Sequence, residues 1–172
     1  MKTIGPRFCL LFLAWLGVLA AVFELWRRHW VDLYMYPISS SAAFLLNAVG
    51  IGAELSAPIL PEGVCQLALD NVVYRVSFEC TGLFAFFICL ACVLAYPTTV
   101  GTKIKGVFLV APAFYVYSTL RLVILGLVAH FLPAHIELFH IYVMVLVNIG
   151  YVLALWLYWI QQAVPYPAGR PG

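Results

Sequence analysis

FECTG, residues 78–82, is a mostly polar pentapeptide that separates two different patterns in the sequence. The residues before it alternate in polarity as a strand does, and the run from Leu83 to Tyr96 after it is apolar and predicts a helix. Cys80 therefore stands where a strand ends and an apolar helix begins. Because water, charge and a fixed scaffold meet at such a boundary, we expect the chemistry of this chain there.

The composition indicates an integral membrane protein. Of the 172 residues, 65% are hydrophobic and 9% are charged, and the mean hydropathy is +1.03. Soluble domains are only about 45–50% apolar. The net charge of +2 comes from scattered basic residues, which does not favour a nucleic-acid partner. Five cysteines are present, and three of them (Cys9, Cys89 and Cys92) fall in apolar runs, so no disulfide framework is predicted.

Four apolar runs are predicted to cross the membrane: Phe8 to Trp26, Thr81 to Tyr96, Gly106 to Phe131 and Ile141 to Ile160. The first has about 19 residues, enough for the ~30 Å hydrocarbon layer. Its basic start is also typical of a cleavable signal peptide, but no small-x-small site precedes a polar mature start, so we interpret it as a span. Residues 1–162 are predicted to form one membrane domain, and residues 163–172 a polar, disordered tail.

The segment from Ile38 to Leu55 has two interpretations. Serines, glycines and Asn47 interrupt its apolar pattern, which favours an amphipathic helix lying at the membrane interface. The alternative is a fifth span, which would move the N-terminus to the other side of the membrane.

A β-hairpin is predicted directly before the FECTG turn. If Asp70-Asn71 forms a two-residue turn, a single register divides the side chains of both strands between two faces of the hairpin. One face then carries Cys65, Leu67 and Leu69 opposite Val76, Tyr74 and Val72, and the other face carries Gln66, Arg75 and Ser77. Because one face of this hairpin contacts water, we expect the hairpin to lie outside the hydrocarbon and to place Cys80 at the membrane surface.

Lys103 and Lys105 predict the orientation of the chain. Two lysines in a short loop mark the cytoplasmic side, so Cys80, at the other end of the preceding span, is extracytoplasmic. In the four-span version both termini are cytoplasmic. The predicted fold class is an all-α integral membrane protein: a bundle of four or five transmembrane helices, with an extracytoplasmic interfacial helix and a short β-hairpin before Cys80.

Arg121 and His140 are predicted to lie at the level of Cys80. Arg121 is 16 residues beyond Lys105, which at ~1.5 Å per residue places it about 24 Å higher, near the outer surface. It either snorkels to the headgroups or faces the bundle as a fixed cation. His140 begins the last span on the same side, either as an interface residue or as a partner of Cys80. Three helices would thus bring a thiol, a guanidinium and an imidazole together.

Such a set supports acyl transfer by a thiol. A neighbouring cation lowers the pKa of a cysteine from its usual ~8.5, and the thiolate is the nucleophile. His140 can protonate the departing amine and later deprotonate the acceptor, and Arg121 can hold the oxyanion. Glu79 and Glu137 are candidates to orient Arg121 or His140.

These residues resemble the exosortase/archaeosortase family of polytopic membrane cysteine transpeptidases. The resemblance rests on Glu79-Cys80-Thr81-Gly82 at the mouth of a helix, Leu120-Arg121-Leu122 in the next and His140 opening the following one, and it covers about Ile59 to Tyr151. It implies that Cys80 is the nucleophile and that Arg121 and His140 are its partners. It also implies secreted substrates with a C-terminal sorting signal (a short motif, a membrane helix and a basic cluster), whose new C-terminus passes to an acceptor at the extracytoplasmic face of the cell membrane, without a cofactor.

The chain departs from the family pattern in two respects. Many members have Asn three residues before the arginine, where this chain has Ser118, so the supporting hydrogen bond expected from that position is in question. Many members also have about eight spans. With four or five, this chain looks most like the short members, such as the exosortase H type.

Two other classes of function remain open. Cys89-Leu90-Ala91-Cys92 is a Cys-x-x-Cys, as in a membrane thiol oxidoreductase that passes electrons to a quinone. Cys89 is about 13 Å beyond Cys80 along the helix, inside the hydrocarbon, where a thiolate is poorly solvated. The other alternative is a non-catalytic membrane scaffold. The four histidines have no metal-ligand spacing, so no metal site is predicted.

Overall fold

The computed structural model describes residues 4–56, 63–69 and 72–163. The α-helices are α1 (Ile4–Leu25), α2 (Arg27–Trp30), α3 (Tyr36–Ala48), α4 (Leu83–Ala95), α5 (Val100–Phe131), α6 (Ile136–Leu138) and α7 (Met144–Ala163). Two π-helical turns, Val31–Met35 and Phe139–Val143, join α2 to α3 and α6 to α7, and a 3-10 turn, Pro133–His135, precedes α6. The strands are β1 (Ala53–Leu55), β2 (Cys65–Leu69) and β3 (Val72–Val76). The polar tail predicted at 163–172 lies, from residue 164 on, outside the described residues.

Within the described residues, three helical segments are long and apolar enough to cross a membrane: Pro6–Leu25, Val100–Phe131 and Pro133–Ala163. The second predicted span, Thr81 to Tyr96, is not among them, because its helix is short. Its helix α4 has 13 residues, or about 20 Å at 1.5 Å per residue, against a hydrocarbon layer of ~30 Å. The helix is shorter than the predicted span at both ends, because Thr81 and Gly82 belong to the non-helical FECTG turn and Tyr96 is extended.

Helix α4 is the central helix of the bundle. It packs against α1, α5 and α7, and seven of its residues are buried: Leu83, Ala85, Phe87, Cys89, Ala91, Val93 and Ala95. By contrast, α1 and α7 leave most of their apolar side chains exposed, as helices facing lipid do. Gly82, the residue before α4, therefore has neighbouring helices on several sides.

The predicted register of the hairpin is confirmed. Strands β2 and β3 are antiparallel, with Cys65 opposite Val76, Leu67 opposite Tyr74 and Leu69 opposite Val72. The predicted Asp70-Asn71 turn lies outside the described residues. The inward face is buried at Cys65, Leu67, Leu69 and Val76, because these side chains belong to a buried cluster with residues of α3 and the start of α4.

A third strand was not predicted, and it corrects the interpretation of the segment from Ile38 to Leu55. The helix in this segment ends at Ala48, and Ala53–Leu55 pairs with β2 instead of continuing it. The physical reason is Asn47. Its side-chain amide donates to the carbonyl of Ala53 (2.7 Å) and accepts from the N–H of Ala53 (3.1 Å), while Gly50 takes a positive φ of 88°. The chain therefore reverses into a strand.

The stretch from Arg27 to Leu55 begins and ends at the same end of the bundle. Just before it, Phe23 packs edge-on against Phe78 (5.1 Å between ring centroids), next to the FECTG turn. At its other end, β1 pairs with β2 in the sheet that leads to Cys80. Between these two points α3 runs alongside α5, from Pro37, whose carbonyl accepts from the Tyr115 hydroxyl (3.4 Å), to Leu46, which packs against Gly126. The interfacial helix and the fifth span therefore both stay predictions.

At the opposite end, α5 and α7 pack closely through Gly106. A Cβ at Gly106 would lie 2.5 Å from Trp159 Nε1 and 2.6 Å from Val93 Cγ1. The packing of α7 and α4 on α5 therefore requires a residue without a side chain at this position. Gly101, one and a half turns earlier on α5, has open space around it.

Gly106→Ala is expected to lower the thermal stability of the detergent-solubilised protein, because overpacking a tight contact costs about 1–3 kcal/mol. Gly101→Ala on the same helix is the control, and it should leave stability unchanged or raise it through helix propensity. Equal effects of the two substitutions would contradict the close packing of α5 on Trp159.

Candidate active site

Cys80 lies in a rigid turn between β3 and α4. The N–H of Cys80 donates to the carbonyl of Ser77 (3.0 Å), and the N–H of Thr81 donates to that of Phe78 (3.3 Å). The hydroxyl of Thr81, which is fully buried, donates to the same carbonyl of Phe78 (2.8 Å). Cys80 itself is half-buried. The turn thus fixes the thiol while leaving it reachable.

Gly82 ends this turn in a left-handed conformation with φ of 71°. A residue with a side chain is disfavoured there by about 1–2 kcal/mol. A Cβ would also lie 3.4 Å from Nη1 of Arg121 and 3.8 Å from Oδ1 of Asn148. The glycine therefore allows the sharp entry into α4, and a charged side chain lies next to it.

The structure brings Cys80 and His140 together. The Sγ atom of Cys80 lies 3.8 Å from Nε2 of His140 and 3.5 Å from the hydroxyl oxygen of Ser77. His140 belongs to the π-helical turn Phe139–Val143, whose extra residue per turn changes the direction of the side chains along the helix. Such turns are frequent at functional sites.

The surroundings activate the thiol. Burial raises the pKa of Cys80, but the hydrogen bonds with His140 and Ser77 outweigh it and lower the pKa to about 7. Thiolate, the form that attacks carbonyl groups, is therefore more abundant at Cys80 near neutral pH than at an ordinary thiol.

Arg121 is buried and does not snorkel. Its side chain is 6% exposed, and its guanidinium lies beside the backbone of Gly82, two residues after Cys80. Among the described residues it makes no ion pair, and its Nε has no hydrogen-bond partner. It interacts electrostatically with His140. Of the two interpretations of this arginine, the structure agrees with the fixed cation that faces the bundle.

The three candidate orienting residues do not hold Cys80, Arg121 or His140 by hydrogen bonds in the described part of the chain. Ser118 is fully buried, and its hydroxyl pairs with that of Tyr34 (3.1 Å). Glu79 is exposed and reaches His140 only electrostatically. Glu137 is exposed too, one turn before His140.

A cleft of ≈ 200 Å³ opens beside the thiol. It is lined by Tyr74, Arg75, Cys80, Leu125, Ile136, Glu137 and His140. The sequence interpretation missed Tyr74 as a site residue. Its hydroxyl donates to the carbonyl of Leu122 (3.4 Å), which ties β3 to α5 next to Arg121, and burial raises its pKa, so it stays protonated. The position of Tyr74 on the inward face of the predicted hairpin was the sequence signal that could have identified it.

The Cys-x-x-Cys pair lies elsewhere. Cys89 is fully buried in α4, Cys92 is half-buried, and neither forms a disulfide. Within residues 4–56, 63–69 and 72–163, no group of three His, Cys, Asp or Glu side chains is arranged to hold a metal ion.

Comparison of the chain with protein-family models, curated proteins and solved structures found no match.

Alkylation of Cys80 is expected to rise with pH with a midpoint near 7, because the thiolate is the reactive form. His140→Phe removes the hydrogen bond but keeps the burial, so the midpoint should move above the ~8.5 of an isolated thiol. Ser77→Ala should raise it less. Peptide mass spectrometry resolves Cys80 from the other four cysteines. A midpoint at or above ~8.5 in the unsubstituted protein, or a midpoint that His140→Phe does not change, would contradict the interaction between Cys80 and His140.

Proposed function

We propose that this chain is a membrane cysteine transpeptidase of the exosortase/archaeosortase type, similar to the short exosortase H form. It cleaves the C-terminal sorting signal of secreted proteins and transfers the new C-terminus to an acceptor. The observation that carries this proposal is the pair formed by Cys80 and His140, with 3.8 Å between Sγ and Nε2, a thiol pKa of about 7 and an adjoining cleft.

The reaction uses two acyl transfers. The Cys80 thiolate adds to the scissile carbonyl, and the oxyanion that forms is stabilised by Arg121. His140 donates a proton to the departing amine as the C–N bond breaks, which leaves a thioester on Cys80. His140 then removes a proton from the acceptor nucleophile, which attacks the thioester carbonyl. The C–S bond breaks, and the thiolate is restored.

Arg121 suits the role of oxyanion stabiliser because its charge is permanent and no counter-ion competes for it among the described residues. A carboxylate paired with the guanidinium would cancel much of its field. The buried position also lowers the local dielectric, which strengthens the attraction to a developing negative charge.

The short loop with Lys103 and Lys105 supports the proposed orientation, with Cys80 on the extracytoplasmic side of the cell membrane, because lysines beside a span favour the cytoplasmic side. Arg7 lies at the same end as these lysines, whereas Arg27, Arg28 and Arg75 lie at the Cys80 end, against this bias. Both chain termini are then cytoplasmic.

The position of Cys80 directly before α4 suits a tailed substrate. A protein with a membrane helix next to its sorting motif presents its scissile bond near Cys80 when that helix lies beside the bundle. This matches a secreted partner with a motif, a membrane helix and a basic cluster.

Co-expression with a candidate tailed substrate tests the proposal. Cys80→Ala should abolish cleavage, and His140→Gln should reduce its rate about 10²–10⁴-fold, the contribution of a general acid–base group. The double substitution Cys89→Ser/Cys92→Ser is the matched control and should leave cleavage unchanged. Cleavage that survives Cys80→Ala, or that is lost with Cys89 and Cys92 instead, would contradict the proposal and favour the thiol oxidoreductase.

Arg121→Met is expected to separate function from stability. The substitution removes an unpaired buried charge and keeps the volume, so thermal stability should stay the same or rise. Cleavage should fall about 10²–10³-fold, as for loss of an oxyanion donor. A large loss of stability with proportionate loss of cleavage would instead assign Arg121 a structural role.

A further inference from the structure

A second cleft, of ≈ 370 Å³, lies at the end of α1, outside the candidate active site. Its charged and titratable side chains are exposed, and among the described residues they are those of Glu24, Arg27, Arg28 and His29. Gly63 also lines this cleft and lies against the FECTG turn, since a Cβ there would be 2.9 Å from Cε2 of Phe78. Neither arginine forms an ion pair with another described residue, so both guanidinium groups are available to a ligand.

An apolar groove of ≈ 230 Å³ adjoins this cleft on the surface between α1 and α4. Glu24 lines both cavities, and the Arg27 guanidinium lies 6.0 Å from the ring centroid of Phe23, which lines the groove. From Leu16 to Phe23 the groove extends about 10 Å along α1, at 1.5 Å per residue. The remaining groove residues are all apolar: Ala20, Phe84, Phe87 and Ile88. A cleft with two arginines is thus followed directly by an apolar groove on the same side of the bundle.

The positions of the two cavities match the two layers of a membrane. The segment Pro6–Leu25 is apolar over 20 residues, or about 30 Å, which is the thickness of the hydrocarbon layer. If this segment spans the membrane, the groove at residues 16–23 lies among acyl chains. Residues 27–29 follow the end of the segment and lie at the level of the headgroups.

The charge of the cleft favours a ligand with one negative charge. Two arginines and one glutamate give its described lining residues a net charge of +1 when His29 is neutral. A guanidinium binds phosphate through two parallel hydrogen bonds, and basic pockets beside membrane helices bind anionic headgroups. A phospholipid whose only charge is its phosphodiester therefore matches the cleft with its phosphate and the groove with an acyl chain.

We propose that Arg27 and Arg28 bind the phosphate of an anionic phospholipid, one acyl chain of which lies in the groove between α1 and α4. Such a ligand accounts for two arginines at the end of the bundle opposite the lysine loop. It also contacts α1 and α4 together beside Phe23, whose ring packs against Phe78 (5.1 Å), so its binding stabilises the packing next to the FECTG turn. Neither cavity contains a residue of the candidate active site, so this proposal does not rest on the proposed function.

The test measures the thermal unfolding midpoint of the full chain in detergent, which a ligand of the folded state raises. The probes are dioleoylphosphatidylglycerol, which is anionic, dioleoylphosphatidylcholine, which is zwitterionic and has the same acyl chains, and inorganic phosphate. The anionic lipid should raise the midpoint at about tenfold lower concentration than the zwitterionic lipid, because two basic residues favour the anionic headgroup. Inorganic phosphate at the same concentration should have no effect, since it leaves the groove empty. Equal effects of the two lipids would overturn the proposal, and so would an effect of inorganic phosphate that equals that of the anionic lipid.

Arg27→Gln/Arg28→Gln should abolish the preference for the anionic lipid. The matched control, Arg7→Gln/Lys105→Gln, removes two exposed positive charges at the opposite end of the bundle and should keep that preference. A preference that both double variants keep would place the lipid elsewhere, and one that both lose would make it an effect of net charge. Either result would overturn the proposal.

Ala20→Leu tests the groove separately, with both arginines intact. The larger side chain occupies part of the groove and should weaken the binding of both lipids about three- to tenfold, because less apolar surface is buried. Ala21→Leu, at the next position of α1, is the control, since Ala21 is exposed and does not line the groove. All the substituted residues are exposed, so the variants are expected to fold. Equal effects of Ala20→Leu and Ala21→Leu would overturn the proposed position of the acyl chain.

Discussion

The approach of the Arg121 guanidinium to the backbone at Gly82 is the constraint on which the site depends. A charge that is 6% exposed in an apolar bundle costs free energy unless something compensates it, and no counter-ion is found among the described residues. The position that a Cβ of residue 82 would occupy is 3.4 Å from Nη1 of Arg121. The cation therefore lies directly beside the turn that carries Cys80.

The layers of the fold converge on that turn. The sheet brings the chain to Phe78, α4 takes it into the bundle, and the π-helical turn before α7 carries His140 to within 3.8 Å of the Cys80 sulfur. Tyr74 fastens the sheet to α5 one residue beyond Arg121. Side chains from separate parts of the chain therefore meet at this turn, with His140 next to Cys80 and Arg121 next to Gly82.

Local patterns predicted the features that depend on local physics. Strand alternation gave the hairpin register, because a slip of one residue would exchange its two faces. Counting residues from Lys105 along a helix placed Arg121 at the level of the Cys80 turn. Two features needed tertiary contacts and were missed: β1, which forms because Asn47 bonds Ala53, and the pairing of Ser118 with Tyr34.

The central claim is that Cys80 carries the acyl group, and mass spectrometry of the Cys80 peptide tests it most directly. A tailed substrate incubated with the unsubstituted protein in the absence of an acceptor nucleophile should accumulate the thioester, because the first acyl transfer proceeds and no acceptor attacks the thioester carbonyl. The account predicts an added mass on Cys80, equal to the substrate fragment that ends at the cleaved bond and released by hydroxylamine. Cleaved substrate with unmodified Cys80, or with the fragment on another residue, would contradict it.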